Sequence, residues 1–137
     1  MARHSRSLSA FAALICFAGL NGCSERASDA SSDAAQLRHG VSLADRGDYR
    51  GAISTYDLVL GHKPQNAEAV YLRGSARDRL GDRVGALADY DTALRLDARL
   101  LPAYVARAAI HAERGDSAAA AADYRSAREL QGNDQVH

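Results

Sequence analysis

The chain has no tryptophan, and its two phenylalanines, Phe11 and Phe17, lie near the N-terminus, so the aromatic content of the body is its six tyrosines. Neither charge is in excess: 17 basic and 17 acidic residues balance, with no run of like charge. No field of the whole molecule therefore draws it to nucleic acid, and no charged tail is there to bind one. There are only two cysteines, Cys16 and Cys23. There is also no apolar run of the roughly 20 residues that a bilayer crossing takes; the stretch Leu8–Leu20 stops at Asn21. What remains is the composition of an ordinary globular protein, 47% apolar and 25% charged, in a length that suits one domain.

Arg3, His4 and Arg6, with no acid among them, precede the apolar stretch, and together they form the n-region and h-region of a secretory signal over residues 1–22. The segment closes with Leu20-Asn21-Gly22-Cys23. This resembles the bacterial lipobox, in which cleavage falls just before a cysteine that is then lipidated. Leu20 and Gly22 fit that pattern, whereas Asn21 is an uncommon occupant. The resemblance implies a palmitate-type acyl anchor on Cys23, with more than one chain and hence stable membrane attachment. Ser24, which is not an aspartate, implies the outer membrane, facing the periplasm. The alternative is a secreted, soluble periplasmic protein. Cys16 leaves with the signal, so no disulfide is expected. Two basic residues leave too, and the remainder is two charges negative. Residues 23–32 are small and polar without apolar periodicity, and are expected to form a flexible tether of at most about 35 Å.

The rest of the chain repeats itself. Gly47, Gly81 and Gly115 recur at one constant interval, and the same interval separates Asp48, Asp82 and Asp116, Ala52, Ala86 and Ala120, and Tyr56, Tyr90 and Tyr124. Gly40, Gly74 and Ala108 form a fifth, small-residue column. Each unit reads as helix, turn, helix. The glycine supplies a left-handed residue that ends the first helix, and the aspartate caps the second. The small residues let two antiparallel helices approach closely, with the tyrosine filling the space beside them. A lone amphipathic pair buries too little to be stable, so stacked neighbours must supply the core.

This pattern resembles the tetratricopeptide repeat, whose 34-residue unit carries a small residue in helix A, Gly-Asp at the turn, then alanine and an aromatic in helix B. The resemblance implies an all-α fold: an α-solenoid of three helix-turn-helix units, six helices in a right-handed superhelix. The expected units are 33–66, 67–100 and 101–132, followed by a tail at 133–137. Leu43, Arg77 and His111 depart from the family by replacing its usual helix A aromatic, and only the first unit has a proline near its end, Pro64.

Arg73 precedes Asp89 by the same interval at which Arg107 precedes Asp123, while the first unit has His39 and Thr55 at those places. Gain and loss together predict a salt bridge from helix A to helix B. Ile53 and Leu60, then Leu87 and Leu94, occupy the positions that receive a following unit, whereas the third unit has Ala121 and Arg128. That change is expected of a terminal repeat, and the array is expected to be complete.

No catalytic motif is present, and the expectation is a protein that is not an enzyme and needs no cofactor. His39, His62, His111 and His137 include no pair at i, i+4, so no metal site is expected; His39 and His111 are expected to be buried in packing. Asp89 and Asp91 point in different directions on a helix and make no carboxylate pair. In the family, helix A lines a concave groove that holds extended or helical peptides. By repeat position the groove here is Leu37 and Val41, then Tyr71, Ser75 and Asp78, then Val105, Ala109 and Ala112. The family's basic carboxylate clamp is absent from these positions. The groove suits an apolar or aromatic segment with a basic residue for Asp78; the competing reading has Tyr71 packing against the adjoining helix. The expected function is a membrane-tethered adaptor that binds a protein or peptide segment in an envelope assembly. The alternatives are a self-associating structural protein, hence a homo-oligomer, and a regulator or partner of a cell-wall enzyme.

Overall fold

A computed structural model describes the backbone of residues 22–134 and the surroundings of side chains within residues 30–133. The described residues form six helices: α1 (Gly22–Asp45), α2 (Tyr49–His62), α3 (Ala67–Arg79), α4 (Arg83–Leu96), α5 (Leu101–Glu113) and α6 (Ser117–Asp134). Helices α3 and α5 begin one sequence repeat apart, at Ala67 and Leu101, and so do α2, α4 and α6, at Tyr49, Arg83 and Ser117. The period of the sequence is therefore the period of the fold.

The turn within each unit is built as the Gly-Asp pair predicts. Gly47, Gly81 and Gly115 have φ of 83°, 85° and 81°, a left-handed conformation that costs a residue with a side chain about 1–2 kcal/mol. The amide of Asp48 then reaches back to the Leu43 carbonyl at 2.9 Å and that of Gly47 to Ala44 at 2.9 Å, which closes the last turn of α1. The same two bonds recur at Gly81-Asp82 and Gly115-Asp116. Each aspartate at once caps the helix that follows: Asp48 accepts from the Gly51 amide at 2.9 Å, Asp82 from Gly85 at 2.9 Å and Asp116 from Ala119 at 3.2 Å. Two residues thus end one helix and start the next. Between units the caps differ, with Asn66 accepting from the Ala69 amide and Pro102 occupying the first turn of α5.

Packing runs along the chain, each helix lying against its sequence neighbours. Tyr56 and Tyr90 are buried to 1% exposure. A Cβ on Gly40 would fall 2.4 Å from the Tyr56 ring, and one on Gly74 would fall 3.0 Å from Tyr90, so both glycines are required by the ring beside them. Across the junctions, Ala52 and Tyr56 of α2 meet Ala76 of α3, and Ala86 and Tyr90 of α4 meet Ile110 of α5. The core therefore runs through the units and across the junctions between them, as the instability of a lone pair requires.

The expected salt bridges form. Arg107 donates from Nη2 to Asp123 at 2.6 Å and from Nε at 2.9 Å; Arg73 holds Asp89 by the same two atoms at 2.7 and 3.1 Å. Each arginine also reaches backward, Arg73 to Asp57 and Arg107 to Asp91, both at 2.7 Å. One guanidinium thus joins helix B of one unit to both helices of the next. The paired carboxylates hold both arginines more firmly protonated than usual.

Three expectations change. Residues 1–21 of the signal segment expected over 1–22 lie outside the described residues, but residues 23–32, expected as a flexible tether, are helical and form the start of α1. Residues 24–39 contain no glycine or proline, so nothing in them breaks a helix, and a missing apolar periodicity does not by itself make a coil. Asp33 is buried, bonded to Lys63 at 3.0 Å and His62 at 3.2 Å, and pins this helix to the end of α2. His39 is exposed instead of packed. The last helix continues to Asp134, past the expected end of the third unit at 132. No helix among the described residues is long and apolar enough to cross a membrane.

Candidate functional site

Eight residues of α1, α3 and α5 were expected to line one groove, and the structure divides them. Leu37 is half-buried and packs on the Tyr56 cluster. Tyr71 is half-buried too, its ring centroid 5.9 Å from that of Tyr90 and tilted by 35°, and it belongs to the cluster around Tyr90 and Ile110. Burial raises the phenol pKa of both tyrosines. The packing reading of Tyr71 therefore describes its surroundings.

Val41 and Ser75, by contrast, line a cleft of about 350 Å³ between α1 and α3, with Tyr56 of α2 also in its wall. Ala44 and Leu72 supply apolar wall, and Tyr49, Asp45 and Arg79 complete it. Neither Asp45 nor Arg79 has an ion-pair partner among the described residues. The cleft thus offers one acid, one base and an apolar wall. Val41 is 38% exposed. On α5, Val105 is 41% exposed and Ala109 and Ala112 are also open, but none of the three lines the cleft.

Asp78 is answered within the chain. Arg83 Nε lies 3.9 Å from its carboxylate, and the same guanidinium is bonded to Glu113. A basic residue on a partner is then not needed to satisfy Asp78. Asp45 and Arg79 escaped the sequence reading although they share one repeat column, with Glu113 as its third member. Reading that column would have found them.

Of the acids and histidines singled out from the sequence, Asp89, Asp91, His62 and His111 are engaged within the chain. Asp89 is occupied by Arg73 and by Arg77 at 2.8 Å, and Asp91 by Arg107. His62 faces Asp33, and His111 lies 3.8 Å from Asp116. Among the described residues no three of His, Cys, Asp and Glu are grouped as a metal would need. Cys23 falls in the first turn of α1, with its side chain outside the described set.

No protein-family model matches the chain, and no curated protein does either. Solved structures do. The first tetratricopeptide domain of Spaghetti (RPAP3), bound to the HSP90 peptide SRMEEVD, superimposes with a TM-score of 0.69 at 27% identity, covering 74% of this chain and 80% of that one. SycD, the type III secretion translocator chaperone of Yersinia enterocolitica, gives 0.72 at 16% identity, over 77% of this chain and 80% of its own. MamA from Desulfovibrio magneticus RS-1 gives 0.69 at 23% identity over 76% of this chain, which spans 58% of the MamA chain. Six helices in three Gly-Asp-turned units and these superpositions define the class: the chain is an all-α tetratricopeptide-repeat solenoid. Domains of this class are interaction modules, and protein–protein interaction is the activity that the fold supports.

Proposed function

We propose that the chain is a membrane-tethered adaptor, anchored through lipidated Cys23, that docks a segment of a partner protein in a bacterial envelope assembly. The observation that carries the docking is the apolar surface open along the helix A faces: Val41 beside the cleft, and Val105 with Ala109 and Ala112 on α5. A contiguous exposed apolar patch, unlike a singly exposed side chain, marks an interaction surface. The segment is apolar, with room for one charge of either sign between Asp45 and Arg79. The anchor and the envelope setting rest on the Leu20–Cys23 pattern alone. A short groove with a single segment implies micromolar affinity.

The peptide SRMEEVD, held by the Spaghetti (RPAP3) domain, is not the ligand proposed here. None of the eight groove positions is basic, and Arg79 is a lone base opposite Asp45.

The test pairs two measurements. Radiolabelled palmitate should enter the wild-type chain in cells and not Cys23→Ser. Affinity capture from cell envelopes should recover a protein with wild type that the Val41→Asp, Val105→Asp double variant loses, while its circular dichroism matches wild type. Recovery unchanged by the double variant would sink the groove, and no label on Cys23 would sink the anchor.

A further inference from the structure

We infer that α6 presents a second docking surface, distinct from the groove, which takes an amphipathic helix of a partner protein that carries a carboxylate at its centre. The repeat itself defines the site. Tyr56 of α2 and Tyr90 of α4 are each covered by the next helix and fall to 1% exposure, while Tyr124, their equivalent on α6, is 43% exposed. Around it Ala121 and Arg128, which replace the half-buried Ile53 and Leu87 and the half-buried Leu60 and buried Leu94, are exposed as well.

The charge of a helix that would cover this face can be read from the two junctions that are filled. At each, the incoming helix brings an arginine to a carboxylate of the helix it covers: Arg73 of α3 to Asp57 of α2, and Arg107 of α5 to Asp91 of α4, both at 2.7 Å. The same place on α6, one repeat beyond Asp91, holds Arg125. Arg125 is exposed and has no ion-pair partner among the described residues. Asp123, on the neighbouring face, is already taken by Arg107. Arg128 adds a second positive charge where the internal junctions are apolar. The tyrosine of the junction is retained, its two apolar neighbours are not, and the sign at the ion-pair position is reversed. A helix that fits must offer small apolar residues to Tyr124 and Ala121, and an acid where α3 and α5 carry their arginine.

That rule discriminates against α3 and α5 of a second copy by repulsion, and α1 of a second copy brings no acid to Arg125. Helices α3 and α5 would set Arg73 or Arg107 against Arg125, and α1 has His39 in that column. Like charges so placed oppose association.

The test uses the full chain and two fluorescein-labelled peptides of residues 67–80, one with the native Arg73 and one with Arg73→Glu. Helix α3 is the element that fills the first junction, so its sequence supplies the shape, and the peptides differ only in the diagnostic charge. Fluorescence anisotropy should give the Glu peptide at least about fivefold the affinity of the native one, a ratio within the range of a single ion pair. Arg125→Glu should reverse the preference, and Tyr124→Ala, at an exposed site, should weaken both peptides. A preference that Arg125→Glu leaves unchanged, or binding of neither peptide, overturns the inference. So does wild-type self-association in sedimentation that Arg125→Glu alters, because the face would then belong to a second copy.

Discussion

Arg107→Ala should cost more stability than Arg73→Ala, although the two arginines occupy one place in consecutive repeats. Asp123, 8% exposed in its side chain, has Arg107 as its ionic partner. Removing that partner strands a buried carboxylate, which costs about 3–5 kcal/mol, and the lost contact to half-exposed Asp91 adds about 0–1 kcal/mol. Asp89 is as buried, but when Arg73 is removed it keeps Arg77 at 2.8 Å. The loss there falls to about 1.5–3 kcal/mol, the worth of hydrogen bonds to a charged group, with the lost contact to half-exposed Asp57 again adding about 0–1 kcal/mol. The difference, about 2 kcal/mol, is read from urea unfolding followed by circular dichroism, or as roughly 8 °C in Tm. Two controls isolate the cause. Adding Arg77→Ala to Arg73→Ala should bring its loss up to that of Arg107→Ala, and adding Asp123→Ala to Arg107→Ala should recover part of the loss. Arg73→Ala costing as much as Arg107→Ala, or Arg77→Ala adding nothing, would refute the reasoning, since the second arginine would then not be holding Asp89.

Gly81→Ala should lower stability by about 1–2 kcal/mol in the same unfolding assay, because φ of 85° lies in the region a side chain disfavours, while nothing stands within 4 Å of the added Cβ. Gly74→Ala should destabilise for the opposite reason, its Cβ meeting Asp89 Cβ at 2.9 Å; an unchanged melting temperature would show that α3 and α4 can separate at little cost. Tyr71→Ala should lose about 1–2 kcal/mol as half-buried packing, whereas Val105→Asp should leave the melt unchanged. The carboxyl of Asp33 is held below its ordinary pKa by its bond to Lys63 and secondarily by His62, outweighing burial, which acts the other way. Its contribution is complete above the unfolded value of about 3.9 and is lost as pH falls through the lower folded value. Wild type should therefore lose more stability between pH 6 and pH 3 than Asp33→Asn, and equal losses would remove the ion pair from the account.

What was legible in the sequence is what lies within one repeat. The turn at Gly81-Asp82, the contact of Gly74 with Tyr90 and the Arg73–Asp89 pair all join residues at fixed spacing inside a single unit, so a column that recurs from unit to unit fixes them in space. Contacts between units were less visible, though not absent. Asp57 precedes Arg73 by the same interval at which Arg73 precedes Asp89, so the two-sided grip of the arginine was written at a spacing already in use. Tyr71 could not be placed from its column. The equivalent residues are Leu37 and Val105, and one packs on the core while the other is open, a difference that the column does not show. The segment at 23–32 misled for another reason: helix formation there needs no apolar face, so a periodicity search has nothing to find.

That helical segment alters what the proposed anchor would do. A flexible tether over 23–32 permits any height up to about 35 Å and any orientation. A helix from Cys23 to Asp33 rises about 15 Å and carries orientation with it. Asp33 is also where the helix meets the body, through Lys63 and His62 at the end of α2. Lipid on Cys23 would then fix the edge formed by the start of α1 and the α2–α3 loop toward the membrane, and the turns at Gly47 and Gly81, at the other ends of α1, α2 and α3, away from it. Replacing residues 24–32 with a glycine-serine linker of equal length tests this: capture of the partner from intact envelopes should fall while capture by the soluble chain is unchanged. Equal capture in both settings would show that height alone matters and that the helix sets no orientation.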